Sequence, residues 1–344
     1  MTTARLTEAV MEQMPEQDDR PILALEQLSV DVATPSGPVR LVDRLDLALH
    51  RGERVALVGE SGCGKSVTAR AVLRLDRNVG LSGRVLLGDR DILQMSTREL
   101  RAVRGARIGM VFQDPMTGLN PLMTVGDQVA ETLRVRGVSR REANRRAVEA
   151  LERLRIADAA RRLDAYPHEF SGGMRQRVCL AMAIVAGPEV LLADEPTTAL
   201  DVRVQEQVLT LIDELSRESG LAVLLITHDL GIVAGFADRV AVLYSGRKVE
   251  DGDVDRTYAD PLHPYTTGLL DAIPRIDQPR QDRLISIPGT LPAPADRPEG
   301  CAFHPRCPSR LPICGLEAPP LVGIGPDGRH VSCHLHVAAV EEGR

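Results

Sequence analysis

Short apolar runs alternate with longer amphipathic stretches over most of this chain. Residues 25–33 and 45–49 read as early β-type runs, and Arg54–Val58 is a compact run of buried-strand type that ends at a glycine-rich loop. Residues 66–75 continue as a helix, so strand, loop and helix stand in sequence. Residues 96–165 are helix-rich in Arg, Glu and Ala, with an interruption at 114–121. The longest apolar stretch, 178–187, fits a buried helix. Residues 190–193, 222–226 and Arg239–Tyr244 read as further buried strands, with Lys248 and Val249 pairing back against the last. Strands alternating with helices predict a mostly parallel sheet covered on both faces. Residues 1–20 read as a mobile tail and 21–260 as one large α/β domain. Beyond Asp260 the pattern stops: Pro261, Pro264, Pro274, Pro279, Pro288, Pro292, Pro294 and Pro298 are expected to break any regular element, leaving 261–344 as a separate extension.

Composition narrows the class. An apolar content of 43% with 26% charge in 344 residues supports a sizeable soluble core, and 2% aromatics without Trp makes that core aliphatic. A net charge of −6 argues against a nucleic-acid surface. No run approaches the roughly 18 apolar residues of a spanning helix, and the polar N-terminus is unlike a secretory signal. The expectation is a cytoplasmic protein whose membrane role, if any, comes through a partner. Lys65 and Lys248 are the only lysines among 42 basic residues, which makes Lys65 conspicuous.

Lys65 sits in Gly59-Glu60-Ser61-Gly62-Cys63-Gly64-Lys65-Ser66. Phosphates need donors converging on one point, and backbone N–H groups at a helix start supply them. Glycines let the backbone curl, Lys65 adds a cation for the β- and γ-phosphates, and the Ser66 hydroxyl can ligate Mg²⁺. The metal also needs a carboxylate. Asp194, at the end of a buried run, can serve it directly or through water, and Glu195 beside it can polarise an attacking water.

The complete motif set resembles the nucleotide-binding subunit of ATP-binding-cassette (ABC) transporters. Gln113 in Phe112-Gln113-Asp114-Pro115 resembles the Q-loop of that family, and Ser171-Gly172-Gly173-Met174-Arg175-Gln176 its signature motif. Ala199-Leu200-Asp201 resembles the D-loop, and His228 in Thr227-His228-Asp229 the switch histidine. Alone, His228 reads as a capping or core histidine and Gln113 as a surface glutamine; the ordered set over residues 23–250 changes that. The resemblance implies a P-loop NTPase core of ABC type, with an antiparallel β-subdomain, an inserted helical subdomain at about 114–187, and ATPase activity coupled to transport. It implies that Glu195 is the general base and that His228 touches the γ-phosphate. Gln113 would join Mg²⁺ and water to the helical subdomain, which docks on the membrane partner. Ser171, Gly172, Gly173 and Gln176, with Asp201 nearby, would act on a nucleotide held by a second ATPase subunit. One departure stands out: residues 34–40 carry no aromatic where the family stacks adenine, leaving Val39 or the Arg40 guanidinium.

The extension holds Cys301, Cys307, Cys314 and Cys333 in a C-x5-C-x6-C-x18-C spacing. In a cytosolic protein four thiols point to metal, either structural zinc or an iron–sulfur cluster, and His304, His330, His334 and His336 keep a mixed zinc site open. Cys63 and Cys179 are expected to pack. Phe303-His304-Pro305-Arg306-Cys307-Pro308, preceded by His263-Pro264-Tyr265-Thr266, resembles the C-terminal region of oligopeptide and dipeptide import ATPases. That resemblance implies a [4Fe–4S] cluster on the four cysteines and peptide uptake as the function; a structural role for the cluster is expected because a Pro-rich segment of this size has too few apolar residues to fold alone. It further implies two membrane permease subunits, a related but non-identical second ATPase, an indirectly coupled solute-binding protein, and a peripheral place on the cytoplasmic membrane face. Nickel or another small solute, and a soluble non-transport ABC ATPase, are the alternatives.

Overall fold

The computed structural model describes residues 20–113, 118–197, 201–273, 286–326 and 328–341. Most of the expected N-terminal tail, the Asp114-Pro115 part of the Q-loop, Ala199-Leu200 of the D-loop, and Pro274 and Pro279 lie outside the described residues.

Two sheets organise the chain. Strands β1 (Leu23–Thr34), β2 (Gly37–Leu49), β4 (Val79–Leu87) and β5 (Arg90–Asp91) form an antiparallel sheet in the order β2-β1-β4-β5. The larger sheet adds β3 (Arg54–Val58), β6 (Ile108–Val111), β7 (Val190–Asp194), β8 (Ala222–Thr227), β9 (Arg239–Tyr244) and β10 (Arg247–Asp253). Its last members are β11 (Val322–Ile324) and β12 (Arg329–Val331), and the order is β11-β12-β10-β9-β3-β8-β7-β6. Strands β9, β3, β8, β7 and β6 run parallel, while β10 turns back antiparallel on β9.

The parallel strands follow from their sequences. Alternate residues of β3 enter opposite cores: Ala56 and Val58 face the helical side, Val55 and Leu57 the other. Leu191 and Ala193 against Val190 and Leu192 repeat this in β7. A strand buried on both faces needs an unbroken apolar run rather than alternation. Each buried aliphatic side chain contributes about 1.5–3 kcal/mol.

Helix α1 (Lys65–Val72) starts from Gly64, whose φ of 113° is a glycine conformation. Helices α2 (Val125–Arg134), α3 (Arg140–Arg153) and α4 (Gly172–Ile184) pack on one another. The first two open on Thr124 and Ser139, whose hydroxyls accept the N–H groups of Asp127 and Glu142. Helix α5 (Val202–Ser219) opens on Asp201, which accepts from Val204 N–H at 3.0 Å.

The extension departs from expectation. Its prolines do not abolish regular structure: Pro264 sits in the first turn of α6 (Pro264–Asp271), where a missing N–H costs nothing. Strands β11 and β12 add to the large sheet through β10. Nor is burial purely aliphatic, because Tyr244, Tyr265 and Phe303 meet at the seam with centroids 4.6–5.3 Å apart.

Candidate active site

Four adjacent parallel strands deliver the expected residues from their carboxyl ends, where open α/β sheets place ligand sites. β3 leads into the glycine-rich loop, β8 ends one residue before His228, β7 ends on Asp194, and Gln113 follows β6.

The loop folds as a phosphate cradle. Gly59 has a φ of 148°, and a Cβ there would stand 2.2 Å from Leu243 O, so no other residue fits. Lys65 is buried, and its Nζ donates to Gly59 O at 2.7 Å and Glu60 O at 3.0 Å. Cys63 is 1% exposed and burial pushes its thiol up, which keeps it neutral and packed, as expected.

Ser66 Oγ donates to Asp194 Oδ1 at 2.8 Å. Burial raises the Asp194 pKa, the neighbouring Glu195 charge adds to the rise, and the Ser66 hydroxyl opposes it. A hydroxyl and a carboxylate brought together offer the hard oxygen donors that suit Mg²⁺. Among the described residues, no group of three or more His, Cys, Asp or Glu side chains is arranged to hold a metal ion.

Glu195 joins the remaining motifs. It is buried, with a φ of 46°, a left-handed conformation costly for a residue with a Cβ. Its N–H donates to Ile226 O at 2.9 Å, fixing the turn after β7. Gln113 Nε2 donates to Glu195 Oε2 at 2.8 Å, while Glu195 Oε1 lies 3.1 Å from His228 Nδ1. Both carboxylate oxygens are thus oriented.

The signature residues sit elsewhere. Ser171 is exposed and caps α4, accepting from Met174 N–H at 3.4 Å. Gly172 is exposed too, and Gly173 packs so closely on Val204 that a Cβ would stand 2.7 Å from its methyl. Gln176 does not share that exposed face: it is 1% exposed and its amide donates to Pro196 O, bracing the turn that carries Glu195. Its Oε1 has no hydrogen-bond partner among the described residues. Its expected place against a nucleotide of another subunit is corrected accordingly; a glutamine after a helix start carries no local signal of which way it turns.

On the base side, Arg40 is held by Asp31 through Nε at 2.9 Å and NH2 at 3.1 Å, and reaches Asp43 at 3.3 Å. Arg297, from the extension, donates to Arg40 O at 2.9 Å and to Ser245 Oγ at 3.3 Å.

The four extension cysteines lie near enough to act on one another electrostatically, but among the described residues they do not form a group that could hold a metal ion. Cys301 N–H donates to Cys314 O at 2.8 Å, and Leu311 N–H donates to Cys314 Sγ at 3.4 Å. Burial, reinforced by Cys301, Cys307 and Cys314, pushes the Cys333 thiol up to about 11. Thiolates are the donor type that zinc and iron–sulfur clusters take, but the described arrangement of these four does not itself present such a site. Three of the nearby histidines each meet a backbone carbonyl through one ring nitrogen: His304 Nδ1 meets Cys301 O, His334 Nε2 meets Glu317 O, and His336 Nε2 meets Leu262 O, all at 2.8–2.9 Å.

Sequence reasoning passed over several residues at the phosphate loop. Tyr265 OH accepts the N–H of Glu60 at 2.8 Å, and Arg306 pairs with the Glu60 carboxylate. Leu291 lies against Gly62. The repeated His-Pro motifs around Tyr265 and Arg306 were the available signal.

Comparison with known proteins gives a consistent picture. Residues 42–198 match the family profile described as ABC transporter, and residues 249–314 that described as oligopeptide/dipeptide transporter, C-terminal region. A putative peptide import ATP-binding protein of Brucella abortus is 52% identical over 290 residues, covering 83% of this chain and 87% of the relative. An oligopeptide transport ATP-binding protein of Salmonella typhimurium is 47% identical over 314 residues, covering 91% and 93%. A solved component of an ABC transporter complex from Clostridium perfringens superposes with a TM-score of 0.61 at 29% identity, covering 70% of this chain and 92% of that one. An ATP-binding cassette solved as a dimer in a post-hydrolysis state with ADP and phosphate gives 0.60 at 27% identity, covering 67% and 98%.

Proposed function

This chain belongs to the ABC transporter ATP-binding family, and we propose that it is the ATP-hydrolysing subunit of a peptide importer. The observation that carries the reading is the Glu195 carboxylate, oriented on one oxygen by Gln113 and on the other by His228, beside the Ser66–Asp194 pair. The curled loop and Lys65 bind the triphosphate, and Glu195 takes the proton of the attacking water. Ser66, Asp194 and Gln113 would hold Mg²⁺, which neutralises charge on the β- and γ-phosphates when bound. His228 contacts the γ-phosphate and senses its loss.

Ser171 and Gly172 are exposed at the start of α4, suited to a γ-phosphate on a second ATPase subunit. A related, non-identical chain is the preferred partner. ATP binding closes the pair, two membrane permease subunits change their facing, and hydrolysis reopens them. Among the described residues no helix is long and apolar enough to cross a membrane, which fits peripheral attachment to the permease at the cytoplasmic face. The extension cysteines Cys301, Cys307, Cys314 and Cys333 would hold a [4Fe–4S] cluster of structural role. Iron with acid-labile sulfide in the purified chain supports that assignment, and stoichiometric zinc replaces it.

The cargo is tested by co-purifying the chain with its membrane partners and measuring ATPase activity with candidate solute-binding proteins. Stimulation by a peptide-loaded protein is expected. Stimulation only by a metal-loaded one overturns the peptide assignment.

A further inference from the structure

An acidic side chain in a phosphate-binding loop is an electrostatic problem. Glu60 stands among the backbone groups expected to wrap the triphosphate, and its carboxylate carries the charge of the ligand. An unpaired like charge a few ångströms from a phosphate costs about tenfold or more in affinity at an effective dielectric near 20. The extension supplies the answer from 246 residues away in sequence. Arg306 NH1 donates to Glu60 Oε2 at 2.6 Å and NH2 to Glu60 Oε1 at 3.0 Å, a two-pronged pair of the kind only arginine makes.

Arg306 is itself held firmly. Its residue is 8% exposed, its Nε donates to Pro288 O at 2.8 Å, and its guanidinium lies 5.8 Å from the Tyr244 ring centroid and 6.0 Å from that of Phe303. Tyr265 OH accepts the Glu60 N–H, so side chain and backbone of one loop residue are both fixed by residues beyond Asp260. Leu291 against Gly62 gives the extension a third grip on the loop.

We infer that Arg306 is a positioning residue for ATP binding: it neutralises and holds the Glu60 carboxylate, so that nucleotide affinity depends on the docked extension. This rests on residues 59–66 being the ATP phosphate loop. Arg306 touches neither nucleotide nor reacting atoms, and its effect runs through Glu60.

The test is ATP binding and steady-state hydrolysis by the full-length chain and its R306Q, R306K and R306Q/E60Q variants. R306Q should raise the ATP dissociation constant and KM about tenfold while kcat stays within about threefold. R306K, which keeps the cation but loses the fork, should fall between. The double variant should recover most of the lost affinity, because removing the carboxylate removes the repulsion. A merely structural Arg306 predicts no recovery, since the extension would be equally loosened. Affinity within twofold of wild type in R306Q, or a double variant that binds no more tightly than R306Q, overturns the inference. Thermal melting of each variant shows whether the extension stays docked, and recovery in the double variant stands even if melting falls. A wild-type chain that binds no ATP would instead overturn the functional reading, and this inference with it.

Discussion

The cassette and its extension are ordered by different physics. The parallel sheet is held by aliphatic side chains such as Val55, Leu57, Leu191 and Leu192, none of which retains any exposure. The extension has few such residues. It is pinned by the edge-to-face cluster of Tyr244, Tyr265 and Phe303, by Arg297, Arg306 and Arg329 reaching back to the cassette, and by the buried thiols Cys314 and Cys333. Aromatic pairs add about 0.5–1.5 kcal/mol each beyond their area. Burial tolerates small changes because it is spread over many residues, whereas pins concentrate their effect on a few. Damage to the cassette edge should therefore stop chemistry and spare the fold, while damage to the extension should loosen the fold first.

The largest effect expected is on turnover. Glu195→Gln should lower kcat by about 10²–10⁴-fold, leave melting close to wild type and trap an ATP-bound dimer visible by size-exclusion chromatography. Unchanged turnover would remove Glu195 as the base. Ser171→Arg should cost about 10²-fold in hydrolysis while a single subunit still binds ATP, with a loss of about 1 kcal/mol from the missing cap. Equal loss of single-subunit binding would mean that residues 171–173 do not face a partner's nucleotide. On the other side of the comparison, Cys314→Ser or metal removal should lower Tm by about 5 °C with a smaller effect on kcat. Indifference of Tm to both would break the view of the thiols as pins.

The smallest effect concerns pH. His263 is wholly buried, and desolvation, with His336 adding, lowers its pKa to about 3. The native ring stays neutral where the unfolded chain takes up a proton, so stability is full above about pH 6.5 and falls progressively toward pH 3. At pH 5 the loss is about 2 kcal/mol. Denaturant titrations at pH 7 and 5 check this, and His263→Asn should flatten the difference.

Legibility followed the same division. Strands β3, β7, β8 and β9 could be read directly, because burial on both faces leaves an unbroken apolar run. β4 was missed, since Gly83 and exposed residues interrupt it, and β6 was hidden as four residues inside an arginine-rich stretch. The ATP motifs were readable because phosphate chemistry constrains neighbouring residues. The Glu60–Arg306 pair was not, since nothing local links two residues so far apart. Gln176 shows the converse, a residue with a legible motif whose buried orientation only packing decides.

One feature of the large sheet bears on how this protein can be handled. Strand β10 would expose the backbone groups of Glu250 and Asp251 along an open edge were they not paired with Val331 and His330 of β12. The outermost strand, β11, is only three residues long, a poor template for another chain. The C-terminal residues therefore act as a selvedge on the sheet. A chain truncated before Val322 should self-associate through that bared strand, so its insolubility would be a matter of colloidal behaviour rather than of lost ATP chemistry.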